Sequence, residues 1–128
     1  MTVDPYTPPS SGALGYVRIR HDDVADDPSR GASIYTKAGC SAPRKLSTGV
    51  WTAIPANQNF EYVKVYSFGQ GFCVVKNQMT LAPGQRVEVS YSKSIRGLSM
   101  YCTADATEYS SAEVAKGRIR LEPANCSN

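Results

Sequence analysis

The chain has 128 residues, of which 41% are hydrophobic and 20% charged, and it carries a formal net charge of +3. That length matches one domain with a core of its own, the composition is that of a folded rather than a disordered chain, and no stretch approaches the roughly 20 apolar residues that a membrane-spanning helix needs. The charge is uneven: the first 27 residues set Arg18 and Arg20 against Asp4, Asp22, Asp23, Asp26 and Asp27, leaving a basic remainder whose excess is spread over many segments, as on a solvated surface rather than a nucleic-acid or membrane patch.

Residues 1–12 are rich in proline and serine and lack periodicity, which predicts a flexible tether ahead of a single domain over residues 13–128. No charged and apolar leader precedes Thr2, so the chain reads as a mature form whose signal peptide has been removed. From Leu14 onward the pattern is β. Residues 14–20, 32–37 and 49–54 alternate as short strands, and residues 60–68 and 72–76 form a hairpin around Gly69 and Gly71. Pro83 and Gly84 occupy the centre of a type II turn, which launches a strand over residues 86–91. Residues 97–102 place Leu98, Met100 and Cys102 on one side, directing Cys102 toward the core. Ser110 and Glu113 have capping-box spacing and predict a short helix near residues 110–116, followed by a strand-like run over 118–121. These elements predict an all-β fold, an antiparallel β-sandwich of seven or eight short strands with one short helix.

Four cysteines, Cys40, Cys73, Cys102 and Cys126, occur without a CxxC pair and with a single histidine, His21. That arrangement fits two structural disulfides in an oxidising compartment better than a metal or redox centre, and it points to an extracytoplasmic address. Loop-closure entropy favours Cys40 with Cys73 and Cys102 with Cys126. Sheet geometry offers a second pairing, Cys73 with Cys102 across the sandwich and Cys40 with Cys126, and spacing does not choose between them.

The residues at 17–20 and 33–36, the run Ala38-Gly-Cys40-Ser-Ala-Pro43 and the later Leu81-Ala-Pro-Gly84 together resemble small bacterial envelope lipoproteins with a transthyretin-like or immunoglobulin-like sandwich. The likeness covers residues 14–103. It implies a sandwich in the periplasm or anchored by lipid to an outer membrane, otherwise secreted, and it implies no shared activity. The lipidated cysteine of such proteins has no counterpart here, with Met1 in its place.

No set of residues compels catalysis. A Ser-His-Asp or Cys-His arrangement would have to use His21, and the SxxK spacing of Ser90 and Lys93 falls on a strand, where residues three apart face opposite sides. Asp22, Asp23, Asp26 and Asp27 gather carboxylates beside His21 without the order of an EF-hand, so a solvated acidic turn is favoured over a site for calcium, the one cofactor the sequence suggests. Asn125-Cys-Ser127 matches a glycosylation sequon by coincidence of composition. Binding surfaces are better supported. Residues 40–45 form a basic, proline-containing loop held at one end by a disulfide and presenting Arg44 and Lys45. Tyr62 and Tyr66 share one face of the hairpin with Phe60 and Phe68; they form either an exposed aromatic row or, the favoured alternative, core. Trp51 completes the candidate set. The expectation is a non-enzymatic extracytoplasmic module that binds a protein partner of a bacterial envelope. The alternatives are a secreted protease or lysozyme inhibitor that uses Arg44, or a carbohydrate-binding module that uses Trp51 and tyrosines.

Overall fold

A computed structural model describes residues 3–20, 32–68, 71–124 and 126. Strand alternation decides where its core lies. In β1 (Leu14–Ile19) Gly15, Val17 and Ile19 are buried while Leu14, Tyr16 and Arg18 are only partly so, the period of two expected of a strand with one face on a core. The chain continues through β2 (Ser33–Lys37), β3 (Ser41–Lys45), β4 (Trp51–Pro55), β5 (Asn59–Phe68) and β6 (Gly71–Thr80). Then come β7 (Arg86–Arg96), β8 (Ser99–Tyr109), β9 (Ala115–Ile119) and β10 (Glu122–Pro123). Sheet I has the order β10-β6-β5-β2-β3 and sheet II the order β4-β1-β7-β8-β9. Their inner faces meet in one core that includes Val17, Ile34, Ile54, Tyr62, Val87 and Val89.

Among the described residues, two five-stranded sheets make ten strands where the sequence predicts seven or eight. The additional ones are short edge segments whose own periodicity is weak and whose ladder bonds come from a neighbour. The sandwich is also not purely antiparallel, because β1 runs parallel to β7, with Val17 opposite Val87 and Ile19 opposite Val89. The expected helix near residues 110–116 is replaced by the turn between β8 and β9. There the Ser110 N–H donates to the Val114 carbonyl at 2.9 Å, and Ala115 already opens the next strand. A two-turn helix has little stability of its own, whereas residues 115–119 have the edge of β8 to pair with.

The Pro83-Gly84 turn forms as expected, closed by the Gln85 N–H on the Ala82 carbonyl at 3.0 Å with Gly84 at φ +79°. At the end of β7 the register leaves only Gly97 and Leu98 between Arg96 and Ser99, and Gly97 supplies the φ of +62° that a two-residue hairpin turn demands. Leu98 therefore sits in the turn and is fully exposed rather than directed toward the core with Cys102.

The cysteines pair as Cys40 with Cys126 and Cys73 with Cys102, at Cα separations of 5.4 and 6.2 Å. This overturns the pairing of sequence neighbours. Loop length enters closure entropy only logarithmically, so it yields to a fold that sets β6 against β8 and brings the C-terminal segment to the turn before β3. Both open sides of the sandwich are spanned by terminal segments. Near the N-terminus, Tyr6 N–H donates to the Lys45 carbonyl and Lys45 N–H to the Asp4 carbonyl, each at 2.8 Å. Toward the C-terminus, the chain passes from β9 in sheet II to β10 in sheet I, and Ala124 N–H reaches the Lys76 carbonyl at 3.2 Å.

Candidate functional site

Residues that alternate outward on sheet II build a cluster on its solvent face. Register places Trp51 beside Arg18, Arg18 beside Glu88 and Glu88 beside Thr107. The next row runs from Ala53 through Tyr16 and Arg86 to Tyr109. Cations and rings interleave across the two rows. The Arg18 guanidinium carbon lies 4.4 Å from the centre of the Trp51 ring and 4.9 Å from that of Tyr109. Arg86 lies 4.5 Å from the centre of Tyr16 and 5.3 Å from that of Trp51. Trp51 and Tyr109 meet edge to face at 5.4 Å. Such cation–π contacts contribute on the order of 0.5–1 kcal/mol each at exposed sites.

The two arginines differ in what else they touch. Arg18 Nε donates to Glu88 Oε2 at 2.7 Å, and Tyr109 Oη donates to Glu88 Oε1 at 3.2 Å, so both carboxylate oxygens are occupied. The turn at residues 110–114 folds over the same face, where the Ala112 carbonyl accepts from Trp51 Nε1 at 3.0 Å and from Arg18 Nη1 at 3.3 Å. Arg86 is half-buried and stacked, yet it has no ion-pair partner among the described residues. Its guanidinium is held in place by the rings, with no carboxylate paired to it among the described residues. Beside it a groove of about 400 Å³ runs along the edge of β4, lined by Tyr6, Pro8, Tyr16, Lys45, Trp51 and Ala53. Tyr6 Oη donates to the Ala53 carbonyl at 3.2 Å across this groove, and burial pushes the Tyr6 phenol above the usual tyrosine range.

Of the predicted site residues, Trp51 and Lys45 come together at this groove. Residues 40–45 are not a loop beyond Cys40: from Ser41 they form β3, paired with β2 and bridged to Pro5. Arg44 lies in that strand, half-buried, with Nη1 donating to the Pro43 carbonyl at 2.8 Å, and it does not protrude. Tyr62 and Tyr66 are buried in the core, so they form no contact surface. The valines between them take the outer side because Tyr62 lies opposite Ile34 and Asn77, both buried in the sandwich. Asp22, Asp23, Asp26 and Asp27, with His21, lie outside the described residues, as does Asn125. One carboxylate does meet two sulfurs: the Cys40 N–H donates to Glu61 Oε1 at 3.1 Å, and the Cys40 and Cys126 sulfurs lie 3.3 and 3.5 Å from Oε2. Both sulfurs are spent on the disulfide, which leaves no thiolate to ligate a metal.

Comparison with protein-family models, curated proteins and solved structures gives no match. The site is therefore argued from its own chemistry. Sequence reading reached Trp51 but missed Tyr16, Arg18, Arg86, Glu88 and Tyr109. The signal was present in part, since alternation puts Tyr16 with Arg18 and Arg86 with Glu88 on the faces opposite the core valines. Only the lateral order β4-β1-β7-β8 sets these pairs side by side. Among the described residues, no helix is long and apolar enough to cross a membrane, and two disulfides of this kind are typical of oxidising, extracytoplasmic compartments.

Proposed function

We propose that this chain is a non-enzymatic, extracytoplasmic module of a bacterial envelope that binds a protein partner through the arginine–aromatic face of sheet II. The observation that carries this reading is Arg86, a half-buried guanidinium stacked between Tyr16 and Trp51 without a carboxylate of its own among the described residues. Preorganised arginine, tryptophan and tyrosine side chains are the residue types on which interface energy concentrates, because they bury large areas at small entropic cost. An unpaired cation at the centre selects a carboxylate on the partner and gives it a bidentate seat. Periplasmic residence, or a lipid anchor ahead of the proline-rich segment, belongs to the same proposal and rests on the disulfides and on the tail's composition.

The test is affinity capture from envelope extract of the source organism with the oxidised chain and its Arg86→Glu variant. A protein held by the wild type and released at least about tenfold by the charge reversal supports the reading, since a close carboxylate–guanidinium pair contributes more than about 1.4 kcal/mol. Equal capture by both chains refutes it. A carbohydrate-binding reading has one observation in its favour, the aromatic lining of the groove beside Trp51. Quenching of Trp51 fluorescence by peptidoglycan fragments would move weight to it. The inhibitor reading needs a protruding Arg44 and draws no support from its place in β3.

A further inference from the structure

The two long hairpins, β5–β6 and β7–β8, end on the same side of the molecule. Successive rungs align them: Tyr91 Oη donates to Asn77 Oδ1 at 3.0 Å, Lys93 Nζ lies 5.4 Å from the centre of the Tyr66 ring, and Cys73 is bonded to Cys102. Among the described residues their neighbours stop short. The register of β1 against β7 ends at Val89, and that of β2 against β5 ends at Val63. At about 3.3 Å per residue, the rest of β7 reaches roughly 20 Å beyond Val89. A disulfide thus ties together two hairpin ends that extend past the described lengths of β1 and β2.

The chemistry of these ends is one-sided. Residues 64–75 and 90–103, which lie beyond the flanking registers, contain no aspartate or glutamate. Of their cations Lys64 is buried and Lys93 is half-buried beside the Tyr66 ring, while Arg96, next to the turn, is exposed. Leu98, in the two-residue turn, is fully exposed, and Tyr101, Val65 and Val74 each keep more than 40% of their surface in solvent. Arg96 lies 5.9 Å from the centre of the Tyr101 ring. A leucine at the apex of a tight hairpin has no neighbour of its own to pack on, so its apolar surface remains available to whatever the hairpin meets.

We propose that the end of the β7–β8 hairpin is a contact surface for an anionic lipid bilayer, with Leu98 entering the boundary between headgroups and acyl chains and Arg96 set against headgroup phosphates. Tyrosine favours that boundary, an apolar apex gains by leaving water there, and basic side chains are drawn to the negative surface potential. A narrow apex also suits a bilayer better than a protein partner. Lipid closes around a protruding side chain, whereas a protein interface needs a larger complementary area. This surface lies at the far end of β7 from Arg86, so the inference stands apart from the proposal for sheet II.

Co-sedimentation of the oxidised full-length chain with vesicles tests it. Vesicles of phosphatidylglycerol and phosphatidylcholine in equal parts are expected to carry down the protein at low salt, and vesicles of phosphatidylcholine alone are not. Leu98→Asp should lower partitioning about tenfold and Arg96→Gln about fivefold, from the cost of placing a charge at the boundary and the loss of one surface cation. Lys116→Gln, with the same loss of charge on exposed β9, should bind as wild type. The variants alter exposed side chains, and a denaturant midpoint equal to that of the wild type shows that each is folded. Absence of binding to the anionic vesicles overturns the proposal. So does wild-type binding by Leu98→Asp, or an equal loss in Lys116→Gln and Arg96→Gln, which would mark diffuse attraction by net charge.

Discussion

Tyr62 and Tyr91 carry their phenols into one core with different company. Tyr91 Oη donates to Asn77 Oδ1, while Tyr62 Oη has no hydrogen-bond partner among the described residues. Removing the first hydroxyl leaves a buried amide oxygen unpaired, and removing the second strands nothing. Tyr91→Phe is therefore expected to cost about 1–3 kcal/mol and Tyr62→Phe to be neutral or slightly stabilising, as read from denaturant midpoints. Burial pushes both phenols well above the usual tyrosine range. The folded state thus keeps both protons where the unfolded chain loses them, near pH 10, so their contribution is fully present below that pH and declines as pH rises beyond it. Denaturant midpoints should hold from pH 7 to about 9 and then fall, less steeply in Tyr91→Phe. The inward direction of these tyrosines was only half legible in the sequence. Alternation grouped them, but choosing their side required knowing that β5 lies between β2 and β6 with Ile34 and Asn77 facing the same core.

Strands and turns carry the candidate site, and the turn at residues 110–114 shows how. In the sequence it looks like a helix start because Ser110 and Glu113 have capping spacing; in the fold it closes a hairpin whose Ala112 carbonyl takes hydrogen bonds from both Trp51 and Arg18. Trp51→Phe keeps an aromatic ring beside the arginines but removes the indole donor. Amide hydrogen exchange in residues 110–115 should quicken several-fold, consistent with the roughly 1 kcal/mol net contribution of one such bond, while exchange in β7 stays unchanged. Equal exchange in the variant would show that the turn is held by its own backbone bonds alone. Gly15 marks another demand made by neighbouring elements. A Cβ there would stand 2.6 Å from the Leu81 Cβ, so β1 and the segment before β7 approach closely only because position 15 is bare. Nothing in the local run around Gly15 announces that contact, which is set by a residue 66 positions away.

Across the whole molecule, the two disulfides act on different parts of the architecture. Cys73–Cys102 joins the facing sheets through their long hairpins, and Cys40–Cys126 draws the C-terminal segment to the start of β3. The sequence separations are 29 and 86 residues, so by chain entropy the second should stabilise by roughly 1 kcal/mol more than the first. Replacing each pair by alanine in turn and comparing denaturant midpoints checks this, with losses of about 2–4 kcal/mol expected for each bridge. Proteolytic mapping should recover Cys40 linked to Cys126 and Cys73 linked to Cys102. By itself the sequence determined the β class, most of the long strands, the Pro83-Gly84 turn and the presence of two bridges, because alternation, turn chemistry and cysteine count act over a few residues or over none. The tertiary structure decided the rest: the parallel pairing of β1 with β7, the short edge strands, the partners of the cysteines, and the meeting of Arg18, Arg86, Trp51 and Tyr109 on one face. Each of these is a contact between segments far apart in the chain, and its free energy exists only once the sheets have assembled in their lateral order.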